Sequence, residues 1–483
     1  MHNNKNKIIS SLIWRFLEKF GSQGVTFVVS ILLARLLDPD AYGTIAIVNI
    51  FISIMQVFVD SGLANSLIQK KEVDDLDFSS VFYFNVGFCL LLYMTIFLFA
   101  PAISSFYSTP ELKLVIRILG LNIVISGINN VQQAYVSRRM MFQKNFYSTL
   151  GGTIGAAIIG IVMAYRGFGV WALVAQHLFK EIIGTFILWV NVEWRPKLLF
   201  SYHRLKVLLS FGWKLLAAKL IDTIYENARS LIIGKKYSST DLAFYNKGKQ
   251  FSDFATLNIN ASIESVLFPA MSMEQDNLEH IRSMTSRSIK IVSYVTTPIM
   301  VGLSVCAEPL IKVILTAKWI NCVPYMRIFC VASSIVPVTL ANLNAIKAIG
   351  YSEIYLKLEI ARKAVNTLSL LVSMWYGPKA IAYSYLLNCV VNLYINSYPN
   401  KKILNYGYSN QIKDMFPAIS LSMFMGLVTY SITFINVPDL IKLLIQIPLS
   451  VVIYIILSFL IKEESFMYIL NTIKRYKINK EKK

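Results

Sequence analysis

The chain has 483 residues, 55% of them hydrophobic and only 15% charged, with a mean hydropathy of +0.54. That balance excludes a soluble globular protein and marks a polytopic membrane protein. A net charge of +20 would suit nucleic acid, but no soluble stretch is long enough to present a basic face. The positive-inside rule and attraction to anionic headgroups account for the bases instead. Five scattered cysteines, Cys89, Cys306, Cys322, Cys330 and Cys389, form no CxxC, and the four histidines lie far apart. This argues against a metal site or a disulfide framework.

Residues 1–10 are polar and basic, and the apolar run that follows is too long for a cleavable signal peptide. The first helix is expected to act as its own insertion signal. Along residues 11–37, Arg15, Glu18, Lys19, Ser22, Gln23, Thr26 and Ser30 fall within roughly a 140° arc of one helix. The turn Asp38-Pro39-Asp40 is formally a DxD, a pattern that holds metal-bound sugar donors in some membrane glycosyltransferases. The favoured reading is that Pro39 stops the first helix and Asp40 caps the second. The outer loops are too short to build an acceptor site.

About fourteen apolar segments follow one another, at roughly 9–36, 42–67, 79–104, 112–137, 144–165, 168–190, 207–234, 241–265, 282–305, 323–348, 353–376, 379–398, 412–435 and 440–461. Residues 308–320 read as an interfacial helix or a re-entrant turn. Asp60, Asn65 and Gln69 mark the end of the second span and read as structural. Further charges fall inside spans: Arg117, Lys180, Glu181, Lys247, Lys249, Asp253 and Arg327, with Glu359, Arg362 and Lys363 near enough to a span end to snorkel. Of the Lys and Arg in short loops, roughly two dozen lie on the side of Lys5 and Lys7 against about six opposite. Both termini are therefore expected in the cytoplasm.

Residues 210–235 carry the sharpest signal. They are long enough to cross a bilayer, yet contain Lys214, Lys219, Asp222, Glu226 and Arg229. At about 100° per residue, the last four share roughly an 80° arc. A central charge costs about 2.5–3.5 kcal/mol on insertion, against about 0.3–0.6 gained per Leu or Ile. These charges must face protein or water, and intramembrane charges are functional candidates by default. The bland alternative is a structural network of Lys219–Asp222 and Glu226–Arg229 pairs. Ser11, Trp14, Arg15 and Leu17 recur at constant offset as Ser210, Trp213, Lys214 and Leu216, and Lys19 recurs as Lys219 with a one-residue slip. Such weak internal symmetry is expected of transporters built from repeats, so two lobes are expected, each opening with a polar-faced helix.

Residues 32–71 contain A-R-L-L-x-P-x-x-Y-G at 34–43, then Asp60, Gly62, Leu63 and Leu67 to Gln69 in the pattern D-x-G-L-x-x-x-L-I-Q. Residues 227–251 resemble a seventh-to-eighth-helix junction. In these stretches the chain resembles polysaccharide flippases of the Wzx type, in the multidrug/oligosaccharidyl-lipid/polysaccharide (MOP) exporter superfamily, and in particular the branch associated with colanic and teichuronic acid export. The resemblance implies an all-α polytopic membrane protein of about 14 transmembrane helices. It implies two six-helix lobes, 1–200 and 201–400, around a central cavity, two additional helices in 401–461 and a basic cytoplasmic tail at 462–483. The implied cargo is an undecaprenyl-pyrophosphate-linked oligosaccharide, flipped to the outer leaflet of the bacterial cytoplasmic membrane for cell-surface polysaccharide synthesis.

On this resemblance the cavity bases are Arg15, Lys19, Lys214, Lys219, Arg229 and Lys247. Glu18, Asp222, Glu226 and Asp253 are candidates for pairing with them or for coupling to H⁺ or Na⁺. No catalytic residue, metal, cofactor or nucleic-acid partner is expected; the partners are the lipid-linked glycan, the bilayer and a polysaccharide polymerase. A flippase of the lipid-linked peptidoglycan precursor is the near alternative, because its head is also a pyrophosphate. A drug antiporter would favour an acidic, aromatic cavity, and a glycosyltransferase or polymerase a long catalytic outer loop.

Overall fold

The computed structural model describes residues 2–60 and 63–481, without the side chains of residues 2–9, 11–13, 16, 65, 210–212, 214–215, 257–258, 261–262 and 473–481. Gly62 and the side chains of Ser11, Asn65, Ser210 and Lys214 therefore lie outside the described residues. The described residues form helices and no strand. They divide into two compact units, Met1–Ala243 and Phe244–Lys483.

The first unit holds α1 (His2–Leu36), α2 (Pro39–Asp60), α3 (Leu63–Gln69), α4 (Asp75–Phe106), α5 (Leu112–Leu119), α6 (Leu121–Arg138), α7 (Phe142–Tyr165), α8 (Val170–Asn191) and α9 (Tyr202–Lys236). The next helix, α10 (Ser239–Met273), begins there and continues into the second unit. Pro39 opens α2, where its missing N–H costs nothing and its fixed φ suits a first turn. Asp74 starts α4 with a reciprocal capping box, accepting from the Asp77 amide at 3.0 Å. α7 and α8 approach closely: Ser148 Oγ donates to the Gly184 carbonyl at 2.7 Å, and a Cβ on Gly152 would lie 2.7 Å from the Lys180 carbonyl oxygen. Only small residues allow such backbone proximity between membrane helices.

Two pairings orient the polar helices. α1 lies along α7, whereas α9 lies along α2, α3 and α4. The apolar core beneath them is built around Phe78, Tyr135 and Trp194, with Phe78 5.5 Å from each of the other two rings. At one end the core is closed by charge. Asp77, 1% exposed, pairs with Lys70 at 2.6 Å, Arg204 bridges Asp74 at 2.6 Å, and Arg138 donates to the carbonyls of Leu67, Ile68, Lys70 and Lys71 at 2.6–3.0 Å.

The second unit continues with α11 (Leu278–Val305), α12 (Ala307–Ile314), α13 (Val323–Ala348), α14 (Ser352–Ser373), α15 (Pro378–Ile403), α16 (Tyr408–Ser431), α17 (Asp439–Leu460) and α18 (Glu464–Glu481). α11 packs on α13 and α16, and α13 on α15. A buried polar network pins this packing. Asn342 and Gln411 exchange two amide hydrogen bonds of 2.8 Å, Asn400 donates to Asn342 Oδ1 at 2.7 Å, and Ser397 to Gln411 Oε1 at 2.7 Å.

Among the described residues, ten helical segments are long and apolar enough to cross a membrane. The other four expected spans fall on α9, α10, α14 and α15, which have the length (35, 35, 22 and 26 residues) but carry charges. One expected span, 112–137, is interrupted at Gly120 between α5 and α6. Residues 308–320 fold as α12 and a 3₁₀ turn, Ala317–Cys322, whose Trp319 is fully buried.

Candidate functional site

The polar residues of α9 meet a second polar row that the sequence reading passed over. On α2, Ser53, Gln56 and Asp60 stand at i, i+3 and i+7, one helix face. On α9, Lys219, Thr223 and Asn227 stand at i, i+4 and i+8. The helices run antiparallel, so Asn227 Nδ2 reaches Ser53 Oγ at 3.4 Å while Lys219 acts electrostatically on Asp60. Further along, a Cβ on Gly234 would touch Ile47 at 3.1 Å, and the Ser239 hydroxyl donates to Asp40. Asp40, half of the DxD pattern, is thus bonded across a helix junction, also accepting from Thr240 at 3.5 Å.

Asp60 is the node of this seam. It accepts from Gln56 Nε2 at 2.9 Å and from Asn130 Nδ2 of α6 at 3.4 Å, and its charge is felt by Glu181 on α8. Lys180 lies beside Glu181 and acts on it with opposite sign. Four helices of one unit thereby converge polar groups on one carboxylate. Asp60 is the last residue of α2, as its place in the sequence suggests, and the i, i+3, i+7 spacing of polar residues in an otherwise apolar span is the local signal for its row.

The α1 stripe is arranged differently. Glu18 accepts from Thr149 Oγ1 of α7 at 3.2 Å, and the Arg15 guanidinium lies 5.1 Å from the Phe142 ring centroid. Trp14 packs on Phe146 and Tyr147, with centroids at 5.3 and 6.0 Å. Lys19 is exposed, with no hydrogen bond or ion pair from its ammonium to a described side chain. Ser22 and Ser30 turn their hydroxyls back onto their own helix at 3.4 and 2.9 Å. α7 therefore braces Arg15 and Glu18 and leaves the Lys19 ammonium open.

On α9, Lys219 and Glu226 are exposed and make no ion pair with a described side chain, while Asp222 and Arg229 are half-buried. The Lys219–Asp222 and Glu226–Arg229 pairs of the bland reading are not formed. In the second unit, Lys247 is 4% exposed, with its ammonium 5.7 Å from the Trp319 ring centroid, and Asp253 pairs with Lys249 at 3.2 Å. Of the residues singled out from sequence, the structure brings together Arg15 with Glu18. Lys219 it brings to Asp60, while Lys247 and Asp253 belong to the second unit.

A family model described as polysaccharide biosynthesis protein matches residues 32–324. The chain is 24% identical over 394 residues to the succinoglycan biosynthesis transport protein ExoT of Rhizobium meliloti (strain 1021), covering 80% of this chain and 78% of that one. It is 22% identical over 432 residues to the lipopolysaccharide biosynthesis protein WzxC of Escherichia coli (strain K12), covering 89% and 88% respectively. Among solved structures, the lipid II flippase MurJ in an inward closed conformation superimposes with a TM-score of 0.77 at 14% identity, covering 94% of this chain and 99% of that one. That likeness establishes a shared all-α fold.

Proposed function

Because the chain belongs to the polysaccharide biosynthesis protein family, we propose that it is a flippase of undecaprenyl-pyrophosphate-linked oligosaccharide for cell-surface polysaccharide synthesis. It spans a membrane and is a transporter, not an enzyme. The observation that supports the reading is the polar α2–α9 seam, where the Lys219 ammonium stands beside Asp60 without a salt bridge to a described side chain.

A lipid-linked sugar presents a pyrophosphate and a hydroxylated head that cannot cross hydrocarbon unaided. The flippase need supply only a polar, cationic path for the head while the prenyl tail stays in lipid. Lys219 and Lys19 are the bases best placed to meet a phosphate as point charges; Arg15, held against Phe142, offers a planar fork. Gln56, Asn130 and Asp60 then offer donors and an acceptor for sugar hydroxyls. Lys247, buried against Trp319, is better suited to fixing α10 than to meeting a headgroup. Asp60 and Glu181 join Glu18 as intramembrane acids able to couple H⁺ or Na⁺, and alternation of the two lobes would carry the head across.

In this reading the protein resides in the bacterial cytoplasmic membrane with both termini inside, and hands its cargo to a polymerase outside. A deletion strain complemented with the wild-type chain or with Lys219→Ala tests it. Wild type should restore surface glycan, and the variant should leave the lipid-linked repeat unit accumulating at normal protein level. Accumulation of peptidoglycan precursor instead would assign the other cargo.

A further inference from the structure

A separate cavity of ≈ 570 Å³ opens in the second unit between the first turns of α11 and α16. Its lining carries Arg282, Lys413 and Glu279, together with Ser283, Asn410 and Asp414. Asp414 is already satisfied: Tyr406 Oη and Ser286 Oγ donate to its Oδ2 at 2.6 and 2.5 Å, and Lys290 stands 3.8 Å from Oδ1. The other three charges are not. Among the described residues, Arg282, Lys413 and Glu279 make no ion pair or side-chain hydrogen bond, with one another or elsewhere.

Opposite charges that line one cavity without closing on each other leave room for a ligand that bridges them. The α16 end favours an anion beside the bases: Gly407 gives it no side-chain cap, leaving its first amides available, whereas Asn277 caps α11. An apolar track leads away from the cavity. Phe416, Phe424 and Leu427 are 64%, 54% and 70% exposed and lie within about 60° of Lys413 around α16.

We infer that this cavity binds one membrane phospholipid by a headgroup that joins a phosphodiester to a primary amine. Arg282 and Lys413 hold the phosphate, Glu279 holds the ammonium, and an acyl chain follows the α16 track. The bases choose phosphate; Glu279 selects the amine-bearing headgroup over a purely anionic one. The inference uses the membrane orientation proposed above only to place the site in the inner leaflet, and its test involves no glycan, so either reading can fail alone.

The test is thermal unfolding of the full-length, delipidated protein in detergent. The probes are short-chain phosphatidylethanolamine, phosphatidylglycerol of the same chains, and inorganic phosphate. Phosphatidylethanolamine should raise the midpoint by several degrees more than phosphatidylglycerol, and inorganic phosphate should leave it unchanged. Arg282→Gln with Lys413→Gln should abolish the lipid shift, and Glu279→Gln should make the two lipids equivalent. An undiminished shift in the double variant, or an equal shift with inorganic phosphate, would overturn the site. If the double variant does not fold, native mass spectrometry of the wild type in an equimolar mixture of the two lipids decides. One retained amine-bearing lipid supports the site, and no preference overturns it.

Discussion

Asn130 Nδ2 of α6 donates to Asp60 Oδ1 of α2 across 3.4 Å, at the point where Lys219 of α9 also acts on that carboxylate. An acid placed between an amide donor and an ammonium can hold a base in position, exchange a proton or meet a sugar hydroxyl. Asp60→Asn keeps the size and the amide contact but removes the charge. It should lower glycan export about tenfold, the rate equivalent of ~1.4 kcal/mol, with membrane protein level unchanged. Export assayed by surface glycan staining against immunoblotted protein checks this, and wild-type export would remove Asp60 from the transport path.

Helix contacts are tight at selected glycines and loose at others. A Cβ on Gly43 would fall 1.9 Å from the Ser239 carbonyl oxygen, whereas one on Gly87 would meet nothing within 4 Å. Gly43→Ala should therefore destabilise by about 1–3 kcal/mol through overpacking. Gly87→Ala, at a helical position, should stabilise by roughly 0.5–1 kcal/mol. Denaturation of the two variants in the same detergent should move the midpoint in opposite directions.

The buried Asn342–Gln411 pair in the second unit gives a matched test of polar satisfaction. Gln411→Leu preserves volume but strips Asn342 of a donor and an acceptor at 2.8 Å each. Asn342 keeps Asn400 and the Val338 carbonyl as partners, so the loss of these two bonds should cost about 1–3 kcal/mol. A double-mutant cycle of Gln411→Leu with Asn342→Ala measures the coupling between the two side chains.

Much of the helical frame was legible because the bilayer demands long apolar runs, and Pro39 announces the start of α2 by local chemistry. The charged arc of α9 stood out for the same reason. What escaped was partnership. Asp60 ends α2, as its position suggests, but its interactions with Asn130 and Lys219, seventy and more residues away, have no local signal. The nearness of the Trp319 ring to the Lys247 ammonium, at 5.7 Å, likewise has no local signal. The interruption at Gly120 was invisible for a related reason: hydropathy runs unbroken across it.

The network at the foot of the first unit is sensitive to acid. The Arg204 guanidinium, 2.6 Å away, and the Asp77 amide hold the Asp74 carboxyl below its usual range. A depressed folded-state value means that its stabilisation is complete above the unfolded value of about 3.9 and is lost as pH falls through the folded one. Arg204→Gln should unfold earlier than wild type by a constant margin between about pH 7 and 5, and the margin should shrink below about pH 4. A margin that grows with acidification would contradict the assignment.

Lipid-extract mass spectrometry of a deletion strain carrying wild type, Lys219→Ala or an empty vector tests the translocation path most directly. The expected result is an undecaprenyl-pyrophosphate-linked oligosaccharide that accumulates with the empty vector and with Lys219→Ala, and clears with wild type. No accumulated lipid-linked glycan with the empty vector, or full clearance by Lys219→Ala, would contradict a cationic α2–α9 route for the headgroup.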